Sequence, residues 1–311
     1  MLSGLGCRLA AWLAIGLIPI AAGRAADAIT ALAARTLLLD AQVAGPAIVA
    51  VGTNGHILRS ADGGATWELG KAPATAVLTG VCFVGDKLGW AVGHDATILH
   101  TEDGGRTWTR QYKGTDLSVS FLDVSFLDAQ NGFIAGAYGQ FMATTDGGRT
   151  WTERRVIDDD YFLNRISVGP TGTLYLAGEH GTLLKSADRG ATWVKIPTSY
   201  EGSFYGILPL GPATLLAHGL RGSIYRSEDD GATWEQVPTE QRVLLATAVR
   251  LRSGVIVAAG QARCFLVSRD GGRTFTAWNP GLTTSVAELV EEPDGRLLAF
   301  GEEGVSHLPA P

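Results

Sequence analysis

The stretch Ser60-Ala61-Asp62-Gly63-Gly64-Ala65-Thr66-Trp67 decides the fold of this 311-residue chain, because it recurs five more times. The later copies are centred on Asp103, Asp146, Asp188, Asp229 and Asp270, at steps of 41, 43, 42, 41 and 41 residues. A period of about 40 residues is typical of one four-stranded propeller blade. Every copy keeps Ser or Thr two residues before the aspartate, Gly two after, Thr four after and an aromatic ring five after. The aromatic residues are Trp67, Trp108, Trp151, Trp193, Trp234 and Phe275.

A second recurring feature is a glycine ten residues before each of these aspartates. Each glycine opens a four-residue turn, usually Gly-x-x-Gly, and the feature occurs a seventh time at Gly301. The sequence therefore predicts an all-β, seven-bladed β-propeller with four-stranded antiparallel blades. The predicted blades cover residues 35–70, 75–112, 117–156, 161–197, 203–238, 243–279 and 284–308. Because the seventh unit lacks an outer strand, we expect a strand over residues 27–34 to close this last blade and remove an exposed edge.

The aspartate motif is interpreted as architectural. A tight turn between the third and outer strands leaves backbone N–H groups unpaired, and an aspartate can accept hydrogen bonds from them, as in Asx turns. The following glycine supplies a backbone conformation that side chains resist, and the aromatic ring is expected between two blades. The same element recurs in each of the first six blades, whereas a binding site for calcium or a sugar would be singular.

Composition and charge limit the classes of partner. A formal charge of −6, a pI near 5.5 and the absence of any basic run argue against nucleic acid. Arg8, the apolar stretch 9–20 and the small residues 21–23 predict a signal peptide over residues 1–26 and export of residues 27–311 to the periplasm, a lumen or the exterior. Cys82 and Cys264 lie four blades apart and are expected to be buried free thiols. We predict a monomer without cofactor or metal.

The repeat resembles the Asp-box, or BNR repeat, of sialidases and several propeller families. Residues 88–93, Leu-Gly-Trp-Ala-Val-Gly, leading to residues 98–108, Ile-Leu-His-Thr-Glu-Asp-Gly-Gly-Arg-Thr-Trp, are more closely similar to the unit of the photosystem II stability/assembly factor family. The likeness covers residues 33–308. It implies a non-catalytic exported scaffold that binds protein and helps to assemble a membrane complex. Nothing in the sequence identifies a photosystem as the partner.

A sialidase-like glycosidase and a carbohydrate-binding lectin are the alternatives. Sialidases need three arginines converging on a carboxylate, a tyrosine nucleophile with a glutamate, and an aspartate acid. Their Arg-Ile-Pro signature is absent, and the first unit offers only Arg35-Thr36-Leu37. The arginines that could converge show no such arrangement; they are Arg165, Arg221, Arg242, Arg250 and Arg263.

A binding surface is expected on the face that carries the Gly-x-x-Gly turns and the connections between blades, since function tends to lie on variable loops held by a rigid frame. Aromatic residues beside charges favour protein binding there; a solvated rim is the alternative. The candidates are His94, Asp95, Tyr138, Tyr161, Arg165, Glu179, His180, Phe204, Tyr205, His218, Arg221 and Arg263. The ring-wide separation of the three histidines argues against a shared metal. Arg165 holds the register position of Asp123 in the preceding blade, so an ion pair between neighbouring blades is an alternative to ligand capture.

Overall fold

Each repeat unit folds as one antiparallel sheet whose strands follow one another from the centre of a ring to its rim. The structure is a computed structural model and describes residues 30–114 and 116–311. Seven sheets are present in this part of the chain. The predicted signal segment, residues 1–26, lies outside the described residues.

The strands of the first four blades begin at the ring centre with β1, β5, β9 and β13. Blade 1 contains β1 (Leu38–Ala44), β2 (Ala47–Gly52), β3 (Ile57–Ser60) and β4 (Glu68–Leu69). Blade 2 contains β5 (Leu78–Val84), β6 (Leu88–Gly93), β7 (Thr97–Thr101) and β8 (Thr109–Lys113). Blade 3 contains β9 (Phe121–Phe126), β10 (Gly132–Gly136), β11 (Phe141–Thr144) and β12 (Thr152–Glu153). Blade 4 contains β13 (Leu163–Val168), β14 (Leu174–Gly178), β15 (Leu183–Ser186) and β16 (Val194–Lys195).

The remaining blades follow the same order, except that the last has three strands. Blade 5 contains β17 (Phe204–Pro209), β18 (Leu215–Gly219), β19 (Ile224–Ser227) and β20 (Glu235–Val237). Blade 6 contains β21 (Leu245–Arg250), β22 (Ile256–Gly260), β23 (Phe265–Ser268) and β24 (Thr276–Ala277). Blade 7 contains β25 (Val286–Glu291), β26 (Leu297–Gly301) and β27 (Gly304–Leu308). Single 3-10 turns cover Thr53–Gly55, Leu220–Gly222 and Gln261–Arg263.

The strand expected over residues 27–34 is not observed in the described part of this segment. Residues 30–33 are helical, which fits the strong helix propensity of their Ala and Leu side chains. The turn that follows still contacts the open edge of blade 7, since Val305 N–H donates to the Ala34 carbonyl at 3.3 Å. Ala33 is buried between blades 7 and 1. Residues 27–29 lie outside the described residues.

Packing between blades, rather than a shared strand, closes the ring in the described structure. Seven clusters of buried apolar side chains lie at the seven junctions between successive blades, including the junction of blade 7 with blade 1. The six motif aromatics lie in six of them, so the prediction that these rings pack between blades is confirmed. The junction of blades 6 and 7 has no motif aromatic, and Trp278 packs there against Phe265 with ring centroids 5.6 Å apart.

The aspartate motif forms the predicted Asx-type turn in all six copies. In blade 1 the Thr66 N–H and hydroxyl donate to the two oxygens of Asp62, at 2.9 and 2.5 Å, and Ser60 donates to Oδ1 at 2.8 Å. The Gly64 N–H donates to the Ser60 hydroxyl at 2.8 Å. These bonds, led by the one from the Thr66 hydroxyl, lower the pKa of Asp62 to about 2. The polar side chains of the motif are therefore already engaged in hydrogen bonds within their own turn.

The same turns also join successive blades. At five junctions a side-chain nitrogen of one blade bonds to a glycine carbonyl in the motif of the next; the nitrogens belong to Arg59, Gln111, Arg154, Arg226 and His307. Between blades 4 and 5 the Asp230 carboxylate accepts instead, from Tyr175 at 2.6 Å and Lys185 at 2.8 Å. On the face of the ring that carries the motif, which we call the motif face, hydrogen bonds thus join successive blades.

Candidate functional site

The central channel of the ring is shaped by a register shift that every blade shares. Near the start of each inner strand the ladder slips by one residue, as it does between Leu163 and Arg165 in blade 4. Bulged positions of this kind re-aim the following side chain. The seven residues after the shift lie at one level of the channel: Asp40, Gly80, Asp123, Arg165, Gly206, Thr247 and Glu288.

An ion cluster spans the channel at this level. The Arg165 guanidinium pairs with Glu288 at 2.5 Å and with Asp40 at 3.5 Å, so blade 4 is joined to blades 7 and 1. Thr247 donates to the other oxygen of Glu288 at 2.6 Å. Asp123 accepts from the Ile166 N–H at 2.7 Å. Three carboxyl groups from separate blades therefore surround one cation.

Burial has the largest effect on the pKa values of two carboxyl groups in this cluster. It raises the pKa of Asp40 well above its usual value, and the attraction of Arg165 offsets only part of that effect. Burial raises the pKa of Asp123 in the same way. For Arg165 burial acts to lower the pKa, but Glu288, Asp40 and Asp123 outweigh it and the pKa is raised. The guanidinium is a permanent cation, and burial acts against the charged forms of Asp40 and Asp123 beside it.

His218 adds a neutral ring to the channel wall. It pairs with Gly206, and a Cβ at that glycine would lie 2.5 Å from His218 Nε2, so the imidazole occupies the space that Gly206 leaves. Its Nδ1 bonds to the Leu245 carbonyl at 3.0 Å. Burial lowers the pKa of His218 to about 4, which keeps the ring uncharged near neutrality.

Arg165 divides the channel into two cavities. The larger, about 370 Å³, opens on the face of the Gly-x-x-Gly turns. Its wall is largely apolar and is built mainly from Leu37, Leu39, Leu122, Leu244, Ala246, Val286 and Ala287. The polar side chains that line it include Tyr205, Asn164, Gln261 and Glu302. The smaller, about 230 Å³, lies on the other side of Arg165 and is lined by the three carboxyl residues with Gln42 and Ser125. The two ends of the channel thus differ in polarity.

The turns and the connections between blades lie on one face, as predicted. In all seven blades the residue after the turn glycine donates its N–H to the carbonyl of the residue that precedes the inner strand. In blade 3, for example, the Ala137 N–H donates to the Ser120 carbonyl at 2.9 Å. The large cavity therefore opens among the loops where binding was expected.

On the same face as the cavity mouth, four rings from blades 3 and 4 form what we call the aromatic ridge: Tyr138, Phe162, Tyr161 and His180. The Tyr138 and Phe162 rings meet edge to face at 5.1 Å, and Tyr161 stacks on His180 at 4.4 Å. The Gly139 N–H donates to the Tyr161 carbonyl at 2.8 Å, which fixes the two blades together. Tyr138 is 65% exposed.

The other candidates divide between this face and the interior. Asp95, Arg221 and Arg263 are exposed on their turns, and His94 is half-buried. Glu179 accepts from the Phe162 N–H at 2.9 Å. Tyr205 lines the large cavity, and burial, with a smaller contribution from Glu179, raises its pKa.

Two of the candidate residues are not on the loop surface. The prediction was wrong for Phe204 and His218, which are 0% and 3% exposed. Phe204 begins an inner strand, where side chains pack between blades, and His218 points over a glycine into the channel wall. Arg165 does form ion pairs between blades, but with Glu288 and Asp40 rather than with a residue of the neighbouring blade.

Sequence reasoning missed Asp40, Thr247 and Glu288. The register that relates Arg165 to Asp123 also reaches Thr247 and Glu288, each 13 residues before its turn glycine.

Cys82 and Cys264 are buried free thiols, as predicted. Residues 30–114 and 116–311 contain no group of three or more potential metal ligands. The same residues include no helix with the length and hydrophobicity to cross a bilayer.

The family is decided by a match to the whole repeat array. A sequence model described as photosynthesis system II assembly factor YCF48 matches residues 29–118 and 111–304. The chain belongs to this family. No curated protein matches its sequence.

Solved structures agree with membership of the YCF48 family at the level of the fold. A structure described as YCF48 bound to D1 peptide is similar with a TM-score of 0.73 and 21% identity, over 89% of this chain and 94% of that one. YCF48 from Cyanidioschyzon merolae gives 0.70 and 19%, over 87% and 94%. The WD40 β-propeller domain of Doa1 gives 0.71 at only 11% identity, over 88% and 92%. The architecture thus extends well beyond the YCF48 family.

Proposed function

We propose that this protein is a non-catalytic, exported scaffold that binds a protein partner during the assembly of a membrane complex. The observation that carries the proposal is the apolar cavity at the turn-face end of the channel, on the face that also carries the aromatic ridge. Concave apolar sites with a few placed polar groups are where ligands bind. Membership of the YCF48 family and a YCF48 structure described with a bound D1 peptide support a peptide segment as the ligand.

Catalysis by a sialidase-like centre is not favoured by the geometry. Of the five arginines that could converge, only Arg165 lines the channel cavities. Its guanidinium is engaged by Glu288 and Asp40. Arg250 instead donates to the Leu210 carbonyl at 2.8 Å, and Arg221 and Arg263 are exposed on turns. The substrate carboxylate would meet one neutralised arginine rather than three free ones.

A cavity-filling variant tests the scaffold role. Ala246→Trp places a large ring in the channel mouth, and Val194→Trp is the matched control on an outer strand, where Val194 is 63% exposed. Membranes of the native organism are cross-linked, solubilised and purified through a tag on each variant. We expect the membrane-complex subunits captured by the parent and by Val194→Trp to be lost with Ala246→Trp, at unchanged melting temperature. Equal capture by Ala246→Trp would reject the cavity as the binding site.

A further inference from the structure

The aromatic ridge carries features that its structural role does not require. Tyr138 has φ 56, in the left-handed region, and Asn54 in blade 1 and Arg221 in blade 5 hold the same conformation at the same turn position, so the turn itself does not require a tyrosine. A tyrosine at this position gains little packing, because its side chain is 65% exposed and, among the described residues, its ring meets the ring of Phe162.

The charge next to the ridge is negative and mostly unpaired. Asp158, Asp159 and Asp160 are exposed and lead directly into Tyr161. Asp158 pairs with Arg155 at 3.3 Å, whereas Asp159 and Asp160 have no ion pair within residues 30–114 and 116–311. A Cβ at Gly139, next to Tyr138, would lie 2.9 Å from the Asp159 carbonyl oxygen, so the aspartate loop abuts the turn of the ridge.

We propose that the aromatic ridge binds an arginine-containing segment of a protein partner, an inference that rests on the proposed scaffold function. A guanidinium stacks on a tyrosine face and pairs with carboxylates at the same time, which matches the exposed Tyr138 ring on the same face as Asp159 and Asp160. An acidic segment would be repelled by the same loop. The ridge therefore selects and orients the partner, while the cavity takes an apolar part of it.

The test uses a defined probe in place of the unknown partner. A fluorescein-labelled octapeptide of alternating arginine and glycine is titrated with the protein, and its anisotropy is compared with that of the citrulline version, which has the same shape without charge. Variants are Tyr138→Ser, Tyr138→Phe and Asp159→Asn combined with Asp160→Asn. The charge-matched control is Glu102→Gln combined with Glu153→Gln, two exposed glutamates on the opposite side of blades 2 and 3.

Tyr138→Ser should weaken binding of the arginine peptide by about two- to fivefold, the range of a surface cation–π contact, and Tyr138→Phe should not. The aspartate variant should weaken it by about threefold or more at low salt, with a smaller effect at high salt. The control should bind like the parent. Equal affinity for the citrulline peptide, or an equal loss in the control, would overturn the proposal. Because the assay contains no partner, its outcome is independent of whether Ala246→Trp loses capture.

Discussion

Replacing Arg165 by methionine tests whether the ion cluster holds the channel together. Methionine keeps an apolar stem but removes the cation that Glu288 and Asp40 share, and both carboxyls are only 6% exposed. Removing one partner of a buried pair destabilises a protein by about 3–5 kcal/mol. Because the Arg165 side chain is 28% exposed and Glu288 keeps its bond from Thr247, we expect about 2–3 kcal/mol at pH 8.

The loss should be smaller in mild acid. Burial raises the pKa of Asp40 and Asp123, and removing the guanidinium raises both further. A group with a raised folded-state pKa stabilises the fold below its unfolded pKa, near 4, and this contribution is lost as the pH rises through the folded value. At pH 5 more of the orphaned carboxyls are protonated than at pH 8, so we expect a loss of about 1 kcal/mol or less.

Urea unfolding followed by tryptophan fluorescence at pH 8 and pH 5 measures both numbers. Adding Glu288→Gln to Arg165→Met should recover part of the loss at pH 8, because it removes an orphaned charge. Arg155→Met is the control, since the pair of Arg155 with Asp158 is exposed and should contribute about 0.5 kcal/mol or less. If Arg165→Met is as stable as the parent at pH 8, or loses the same amount at both pH values, the cluster does not join the blades.

Three further outcomes concern two junctions between blades and one motif turn. Trp278→Ala should lower the free energy of unfolding by about 2–3 kcal/mol in urea, since it empties a junction without a motif aromatic, whereas Val194→Ala should change little. Glu292→Gln should raise the melting temperature at pH 8 and hardly at pH 5, because burial raises the pKa of Glu292 and so makes its charged form unfavourable. The amide that replaces the carboxylate can also donate to His307 Nδ1, which lies 4.0 Å from Glu292 Oε1. Asp188→Ala should lower stability at pH 7 and much less at pH 2 in a pH-jump urea series. The bond from the Thr192 hydroxyl, followed by the other turn bonds, lowers the pKa of Asp188 to about 2, so their contribution is lost as the pH falls through this value.

The architecture was predictable because each blade repeats the signals that specify it. The spacing of the aspartates gave the blade length, and Gly301 revealed a seventh unit without its motif. The N-terminal strand was not predictable in this way. It was inferred from the need to cover an edge, while the Ala- and Leu-rich sequence of residues 30–34 favours the helix that is observed.

The channel cluster was harder to predict, for two physical reasons. Leu38 pairs with Gly52 across a hairpin one residue shorter than that of Leu78 and Gly93, so Asp40 falls out of the common register. In addition, Arg165 pairs across the ring with blades that are far away in sequence, and a linear comparison of successive units compares only neighbours. A signal for Trp278 was present, because no other blade has an aromatic residue eight positions after its aspartate.

The two faces of the ring differ in whether their side chains are already used in hydrogen bonds, and this difference indicates which face can bind a partner. On the motif face the aspartates, their threonines and the glycine carbonyls already form hydrogen bonds within the turn or to a neighbouring blade. A substitution there breaks hydrogen bonds that hold the turn or join two blades. On the turn face backbone hydrogen bonds join the loops to the frame in all seven blades, and side-chain bonds such as the one that Glu179 accepts from the Phe162 N–H add to them. An exposed side chain such as Tyr138 can change while these bonds remain. A partner can therefore be selected through residues such as Tyr138 without loss of the junctions, and the buried cluster at Arg165 separates that face from the acidic end of the channel.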